Sequence, residues 1–349
     1  MFKLDKLFRT AVQYKASDLY YSTGIKPVLR INGKLISIKD HEIVTPQMAD
    51  EHIMDMLNEQ QKQNFATDKE LDFSINVEGL ARFRVNVFWQ RKGLSASFRM
   101  ITEVVPTMEE LGLPQQLKGL TSKQNGLILI TGPTGSGKTS TLAALLQEIN
   151  LHQVKHIITI EDPIEYIFEN QESIIEQREI GTHTNGFAQA LRASLREDPD
   201  VIMIGEMRDL ETISLAITAA ETGHLVLATL HTSGAAKAVD RMIDVFPANQ
   251  QPQIRLQLAE NLRAVVWQNL IPTKDKQGRV GAYEVLMVNN AIQNMIRKEK
   301  THQINSAMEI GMKEGMQTMQ KALQDLLANG LISQEQANLY TPKEYDFED

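Results

Sequence analysis

Residues 132–139 read Gly-Pro-Thr-Gly-Ser-Gly-Lys-Thr, behind the apolar run Leu127-Ile128-Leu129-Ile130. This is the G-x-x-x-x-G-K-[ST] pattern in the place where it carries meaning, at the end of a strand. The spacing predicts a helix over 138–149, which completes strand, phosphate loop and helix. Gly132, Gly135 and Gly137 permit backbone conformations that turn successive N–H groups toward phosphate oxygens. The helix N-terminus adds the positive end of its dipole. Lys138 is expected to reach the β- and γ-phosphates and the Thr139 hydroxyl to bind Mg²⁺. A nucleotide site inside an α/β domain follows.

The rest of the chain was weighed outward from that loop. Its 349 residues suffice for about two domains. Hydrophobic content of 42% and charged content of 23% are ordinary for a globular protein. A formal charge of −8 argues against a general nucleic-acid binder. With no cysteine, a disulfide framework and a Cys-based zinc site are excluded. No apolar run approaches the ~20 residues of a membrane span. Met1-Phe2-Lys3-Leu4-Asp5-Lys6 lacks the apolar stretch of a signal peptide, so a cytoplasmic protein without a transmembrane segment is expected.

Residues 1–100 open with Leu4, Leu7, Phe8, Ala11 and Val12 at helical spacing. Strand-like runs then cover 27–31, 34–38, 71–77, 81–89 and 94–100. Asn32-Gly33 marks a hairpin between the first two, and residues 45–58 read as a helix with Pro46 in its first turn. The pattern predicts a small α+β domain with a mostly antiparallel sheet. Pro106, Gly112, Pro114 and Gly119 place a linker at 101–120. From 121 to 349 the rhythm changes. Apolar runs at 127–130, 157–160, 201–204 and 225–230, separated by long connections, predict a mainly parallel sheet covered on both faces. Residues from about 285 onward read as helices, and residues 344–349 form an acidic tail.

A phosphate loop needs a carboxylate on the metal side and a group that orients water. The second apolar run ends in Glu161-Asp162-Pro163-Ile164-Glu165, at the strand end where such sheets place their ligands. Glu161 or Glu165 is the expected water-orienting carboxylate, against the plainer reading of a solvated acidic turn. The third run ends in Gly205-Glu206 rather than the Asp usual for a Walker B strand. Glu206 is therefore the expected magnesium-side or catalytic carboxylate, its alternative being a structural ion pair with Arg208. His224 and His231 bracket the fourth run, too far apart to share a metal. His231 lies at the active edge, where it could sense the γ-phosphate; His224 reads as a packing residue.

The stretch 79–102 holds Arg82, Arg84, Arg91, Lys92 and Arg99 and no acid. On the strand at 81–89 the period of two puts Phe83, Val85, Val87 and Trp89 on one face and Arg82, Arg84 and Asn86 on the other. An arginine cluster in an acidic protein is a target for anions, and an arginine finger is one such use.

Taken together, residues 132–139, 160–165, 205–209 and 223–232 resemble the Walker A motif, Asp box, atypical Walker B motif and His box of the secretion ATPases. The likeness is greatest to the retraction ATPases of type IV pili, from Ala16-Ser17-Asp18-Leu19 to Gly315-Met316-Gln317-Thr318. The resemblance implies a PAS-like α+β N-terminal domain, a RecA-like ATPase domain with a helical C-terminal part, and a homo-hexameric ring. It implies ATP and Mg²⁺ as ligands, with Gly132, Pro133, Thr134, Gly135, Ser136, Gly137, Lys138, Thr139 and Ser140 cradling the nucleotide. Arg84 and Arg99 match the family's arginine fingers, and Arg279 is a weaker match to a further basic contact. An inner-membrane pilus platform protein and a paralogous retraction ATPase are the implied partners, with the motor peripheral at the inner membrane. Pilus assembly and type II secretion ATPases are the alternatives within the family. Those usually carry more N-terminal sequence, and many a four-cysteine zinc insert. A DNA-translocating motor and a non-hydrolysing nucleotide-binding subunit are the alternatives outside it. Two departures leave the branch open among the main retraction ATPase, its paralogue and a motor of a divergent pilus system. Tyr20 stands where the family often has His, and Gln293 and Lys298 alter the charge pattern of residues 291–298.

Overall fold

The structure is a computed structural model that describes residues 3–31, 33–101, 104–275 and 277–342. Asn32 of the expected hairpin, Thr102 at the end of the arginine-rich stretch and the acidic tail at 344–349 lie outside the described residues. Two units emerge: residues 1–104 together with 165–167, and residues 105–164 together with 168–349.

The first unit runs α1 (Asp5–Gln13), β1 (Asp18–Ser22), β2 (Val28–Ile31), β3 (Lys34–Ser37), α2 (Pro46–Met54), α3 (Glu59–Asp68), β4 (Glu70–Val77), β5 (Ala81–Gln90) and β6 (Gly93–Ile101). Its strands form one antiparallel sheet in the order β3-β2-β1-β6-β5-β4. Residues 45–58 are not one helix. Thr45 caps α2 through its hydroxyl, but the chain leaves the helix after Met54 to bury Met56 and Leu57. Asn58 then starts α3 with a capping box: its side chain accepts from Gln61 N–H at 2.8 Å and Gln61 Oε1 accepts from Asn58 N–H at 3.0 Å. Asn58 was legible as a cap only once the burial of Met56 and Leu57 broke the run. Alternate residues of β5 (Phe83, Val85 and Val87) are buried, as the period of two requires. Phe8 of α1 meets Phe83 and Phe98 at ring distances of 4.8 and 5.1 Å.

The second unit contains α4 (Lys118–Thr121), β7 (Gly126–Thr131), α5 (Lys138–His152), β8 (His156–Glu161), β9 (Ile174–Glu179), α6 (Phe187–Ser194), β10 (Val201–Ile204), α7 (Leu210–Glu221) and β11 (Leu225–Leu230). It continues with α8 (Ala235–Asp244), α9 (Gln251–Asn261), β12 (Leu262–Pro272), β13 (Arg279–Met287), α10 (Asn290–Arg297), α11 (Ile304–Ile310), α12 (Met319–Ala328) and α13 (Gln334–Tyr340). The sheet order is β13-β12-β7-β11-β10-β8-β9, parallel throughout except for the β12–β13 pair. Strands β7, β10 and β11 are buried along their whole length, which is why they read as unbroken apolar runs. Four strands escaped the sequence reading: the short β1 of the first unit, and β9, β12 and β13 of the second. β9 is half polar because it is an edge, and β12 and β13 alternate too weakly to stand apart from the helices around them. Glu284 of β13 is buried and accepts the backbone N–H groups of Ala235 at 2.8 Å and Met319 at 3.3 Å. One carboxylate thus ties the starts of α8 and α12 to the sheet, and burial pushes its pKa up. Among the described residues no helix is long and apolar enough to cross a membrane.

Each unit holds one tryptophan, Trp89 in the first and Trp267 in the second, so their fluorescence can be separated. In a Trp267→Phe background, Phe8→Ala should cost the first unit about 3–5 kcal/mol, read as a lower denaturant midpoint in Trp89 emission. An unchanged midpoint would rule out Phe8 as the centre of that core.

Candidate active site

Parallel pairing sets the ends of four strands side by side. Ile204 of β10 lies opposite Ile160 of β8 and Ala228 of β11, and Ala228 lies opposite Leu129 of β7. The segments that follow these positions therefore leave from one edge: residues 131–139, 161–165, 205–209 and 231–232. This is the carboxyl edge at which open parallel sheets bind ligands.

At that edge the phosphate loop is tightly curled. Gly132 has φ +148°, and a Cβ there would lie 2.4 Å from the Gln268 carbonyl oxygen, so no side chain fits. Gly137 precedes α5 with φ +87°. No side chain caps α5, which leaves its first N–H groups for an incoming anion. Lys138 is nearly buried, and its Nζ donates to the carbonyls of Gly132 and Pro133, each at 3.0 Å. Gln268 Nε2 donates to the Ser136 carbonyl at 2.7 Å, bracing the loop from β12. The Ser136 hydroxyl is buried and meets no hydrogen-bond partner, as expected of a group that faces a ligand. Pro133, Thr134 and Gly135 are exposed at the crown of the loop, and Thr139 and Ser140 are half-buried in the first turn of α5. The residues present fit a nucleotide's phosphates.

Glu206 sits beside this loop with a side chain only 20% exposed. Arg208 donates to its Oε2 at 2.7 Å, and His231 Nε2 lies 3.1 Å from its Oε1. Burial pushes the Glu206 pKa up, but the Arg208 hydrogen bond and the charges of His231, Arg208 and Lys138 outweigh it and hold the carboxyl below its usual range. The structure shows the ion pair expected as one of the two readings of Glu206, with His231 as a second neighbour. Asp209 caps α7 by accepting from Thr212 N–H at 2.9 Å, which anchors the segment that carries Glu206 and Arg208.

Glu161 is 4% exposed, and its Oε1 accepts from the Thr159 hydroxyl at 2.6 Å and from Gln177 Nε2 at 3.0 Å. Glu165 is exposed and belongs to the first unit. His224 precedes β11 at the opposite edge, and its Nδ1 donates to the Ala219 carbonyl at 2.9 Å. Arg279 is exposed at the start of β13, opposite Pro272. The Arg208 pair with Glu206 was anticipated from their spacing, whereas Gln177 and Gln268 were not, because each meets its neighbour only across the sheet.

Within the first unit, Arg30, Asp18, Arg99, Arg84 and Ser74 form a row across five adjacent strands. Asp18 pairs with Arg99 at 3.0 Å and with Arg30 at 3.6 Å. Arg84 and Arg99 are directly opposed, an arrangement that costs energy without an anion nearby. Arg84 makes no hydrogen bond or ion pair among the described residues. Arg82 instead donates to the Ser74 hydroxyl at 2.6 Å.

A family model described as type II/IV secretion system protein matches residues 2–339. The chain is 47% identical over 336 residues to the type IV pilus retractation ATPase PilT of Pseudomonas aeruginosa, covering 96% of each chain. It is 46% identical over 335 residues to the twitching motility protein of Neisseria gonorrhoeae, covering 95% of this chain and 88% of that one. A crystal structure of the pilus retraction motor PilT with bound ADP superposes with a TM-score of 0.92 at 44% identity, covering 98% of both chains.

Because the Glu206 pKa is lowered in the folded state, its contribution to stability is present above the unfolded value of 4.5 and is lost as pH falls through the folded one. Arg208→Gln should raise the Glu206 pKa and move the acid-unfolding midpoint to higher pH. Arg208 is largely exposed, so the cost at neutral pH should stay at about 0.2–1 kcal/mol. The same substitution in a Glu206→Gln background should leave the midpoint where it was; a shift there would assign the effect to another group.

Proposed function

We propose that this chain, which belongs to the type II/IV secretion system protein family, powers type IV pilus retraction by hydrolysing ATP. It is an ATPase with a RecA-like domain preceded by an N-terminal α+β domain. The observation that carries the proposal is the likeness to pilus retraction motors over nearly the whole chain. The intact phosphate cradle and the Glu206 cluster at one sheet edge support it.

The reaction is attack of water on the γ-phosphate, which demands positioning and charge neutralisation rather than covalent chemistry. Residues 132–140 hold the phosphates, and Lys138 exchanges its carbonyl partners for phosphate oxygens. Thr139 and Glu206 are the residues that would hold Mg²⁺, which when bound would supply charge neutralisation at the phosphates. Glu165 orients and deprotonates the water, since its carboxylate is exposed, whereas Glu161 is already committed to Thr159 and Gln177. His231, in contact with Glu206, reads the γ-phosphate through it. Arg279 supplies a further basic contact to the nucleotide. Arg84 and Arg99 act on the nucleotide of a neighbouring subunit in a homo-hexameric ring. The support is the opposed arginine pair in which Arg84 lacks an intramolecular partner among the described residues. Domain closure within such a ring converts nucleotide state into motion. The motor works in the cytoplasm against an inner-membrane platform protein of the pilus, beside a paralogous ATPase.

Steady-state ATPase assays test the assignment. Lys138→Ala and Glu206→Ala should each abolish turnover, and Arg84→Ala should lower kcat by about 10³-fold with the oligomer intact. Wild-type rates in either of the first two would remove the site; a normal rate in the third would remove the finger. Deletion in the host should give excess surface pili and lost twitching, whereas absent pili would point to assembly.

A further inference from the structure

The segment between β8 and β9 is pinned at both ends by one face of β9. Gln177 and Glu179 are two apart on that strand and so point the same way. Gln177 acts in two directions: its Nε2 donates to Glu161 Oε1 at 3.0 Å, and its Oε1 accepts from Phe168 N–H at 3.0 Å. Glu179 Oε2 accepts from Ile164 N–H at 3.0 Å. These backbone donors stand immediately before and after residues 165–167, and both residues are buried. The clamp is itself braced. Glu179 Oε1 accepts from the Thr182 hydroxyl at 3.1 Å, and Glu179 N–H donates to His183 Nδ1 at 2.9 Å. Parallel pairing places Glu179 opposite Glu161. A buried carboxylate in that position is costly unless its oxygens are occupied, and here both are.

We propose that Gln177 and Glu179 are positioning residues for hydrolysis: they fix where the Glu165 segment leaves and rejoins the ATPase unit. The inference rests on the reading of Glu165 as the water-orienting carboxylate. Neither residue touches nucleotide; each acts through the backbone of Ile164 or Phe168. Glu179→Gln keeps an amide oxygen for Ile164 N–H, whereas Glu179→Ala and Gln177→Leu keep nothing. A group that only stabilised the fold would change nucleotide affinity, thermal stability and turnover together.

The test combines kinetics with amide hydrogen exchange on the full-length protein. Gln177→Leu and Glu179→Ala should lower kcat by about 10- to 100-fold, with the affinity for a fluorescent ADP analogue within about twofold of wild type. Glu179→Gln should restore most of the rate. Exchange should quicken at Phe168 in Gln177→Leu and at Ile164 in Glu179→Ala, while the phosphate loop stays protected. Unchanged kcat in both folded variants, or equal losses of affinity and rate, would overturn the proposal. If either variant fails to fold, Gln177→Met or Glu179→Leu replaces it: each fills the space but leaves its backbone N–H without an oxygen acceptor, and the same split of rate from affinity is expected. Glu165→Gln separates the two levels. Wild-type turnover there refutes the assignment of Glu165, and the exchange data alone then decide whether the clamp exists.

Discussion

Parallel strands held in register impose the geometry on which the rest of the second unit depends. Once β7, β8, β10 and β11 pair in parallel, their C-terminal ends must fall along one edge, whatever connects them. Four segments far apart in sequence are thereby delivered to one place. The central strands β7, β10 and β11 are buried along their length and carry no charged residue, so their charged neighbours gather where the strands stop. The phosphate loop is the most constrained of these exits. Gly132 presses against β12, Gln268 holds the Ser136 carbonyl, and Lys138 is folded back onto two carbonyls. A cation in that position is satisfied in the fold yet can move to an incoming phosphate at little cost, since it exchanges neutral acceptors for charged ones.

Glu206 illustrates how a mostly buried carboxylate is held at a sheet edge. A buried acid would ordinarily be driven toward its neutral form. Here the Arg208 hydrogen bond and the neighbouring His231, Arg208 and Lys138 side chains hold its pKa below the usual range, and Arg208 and His231 come from different strand ends. Where a Walker B strand usually ends in Asp, Gly205 follows the end of β10 with its N–H donating to the Ile160 carbonyl at 2.8 Å, and Glu206 comes next. The capping Asp209 keeps the turn from drifting.

The first unit solves a different problem. Its sheet places three arginines and one aspartate in a single row, and the aspartate serves only two of the three. Left alone, the Arg84–Arg99 opposition is a small liability. It becomes an advantage when an anion is brought to that face.

Much of this was legible in the sequence because it rests on local pattern. The P-loop spacing, the four apolar runs and the alternation along β5 are each written in fewer than about ten consecutive residues, so the α/β class, an α+β domain ahead of a parallel-sheet domain and the candidate residues Lys138, Glu206 and Arg84 could be read from them, while the RecA-like assignment came from the family resemblance. Other features were not legible. β9 is polar because it is an edge, and α3 begins at Asn58 only because Met56 and Leu57 turn inward. The partners of Glu161, Glu206 and Ser136 lie 16, 25 and 132 residues away. By itself the sequence determined which chemistries the chain carries, since short motifs are set by the backbone needs of a single loop or strand. Only the tertiary structure decided which groups meet. Parallel pairing joins residues without regard to their separation in the chain, and no local pattern records that choice.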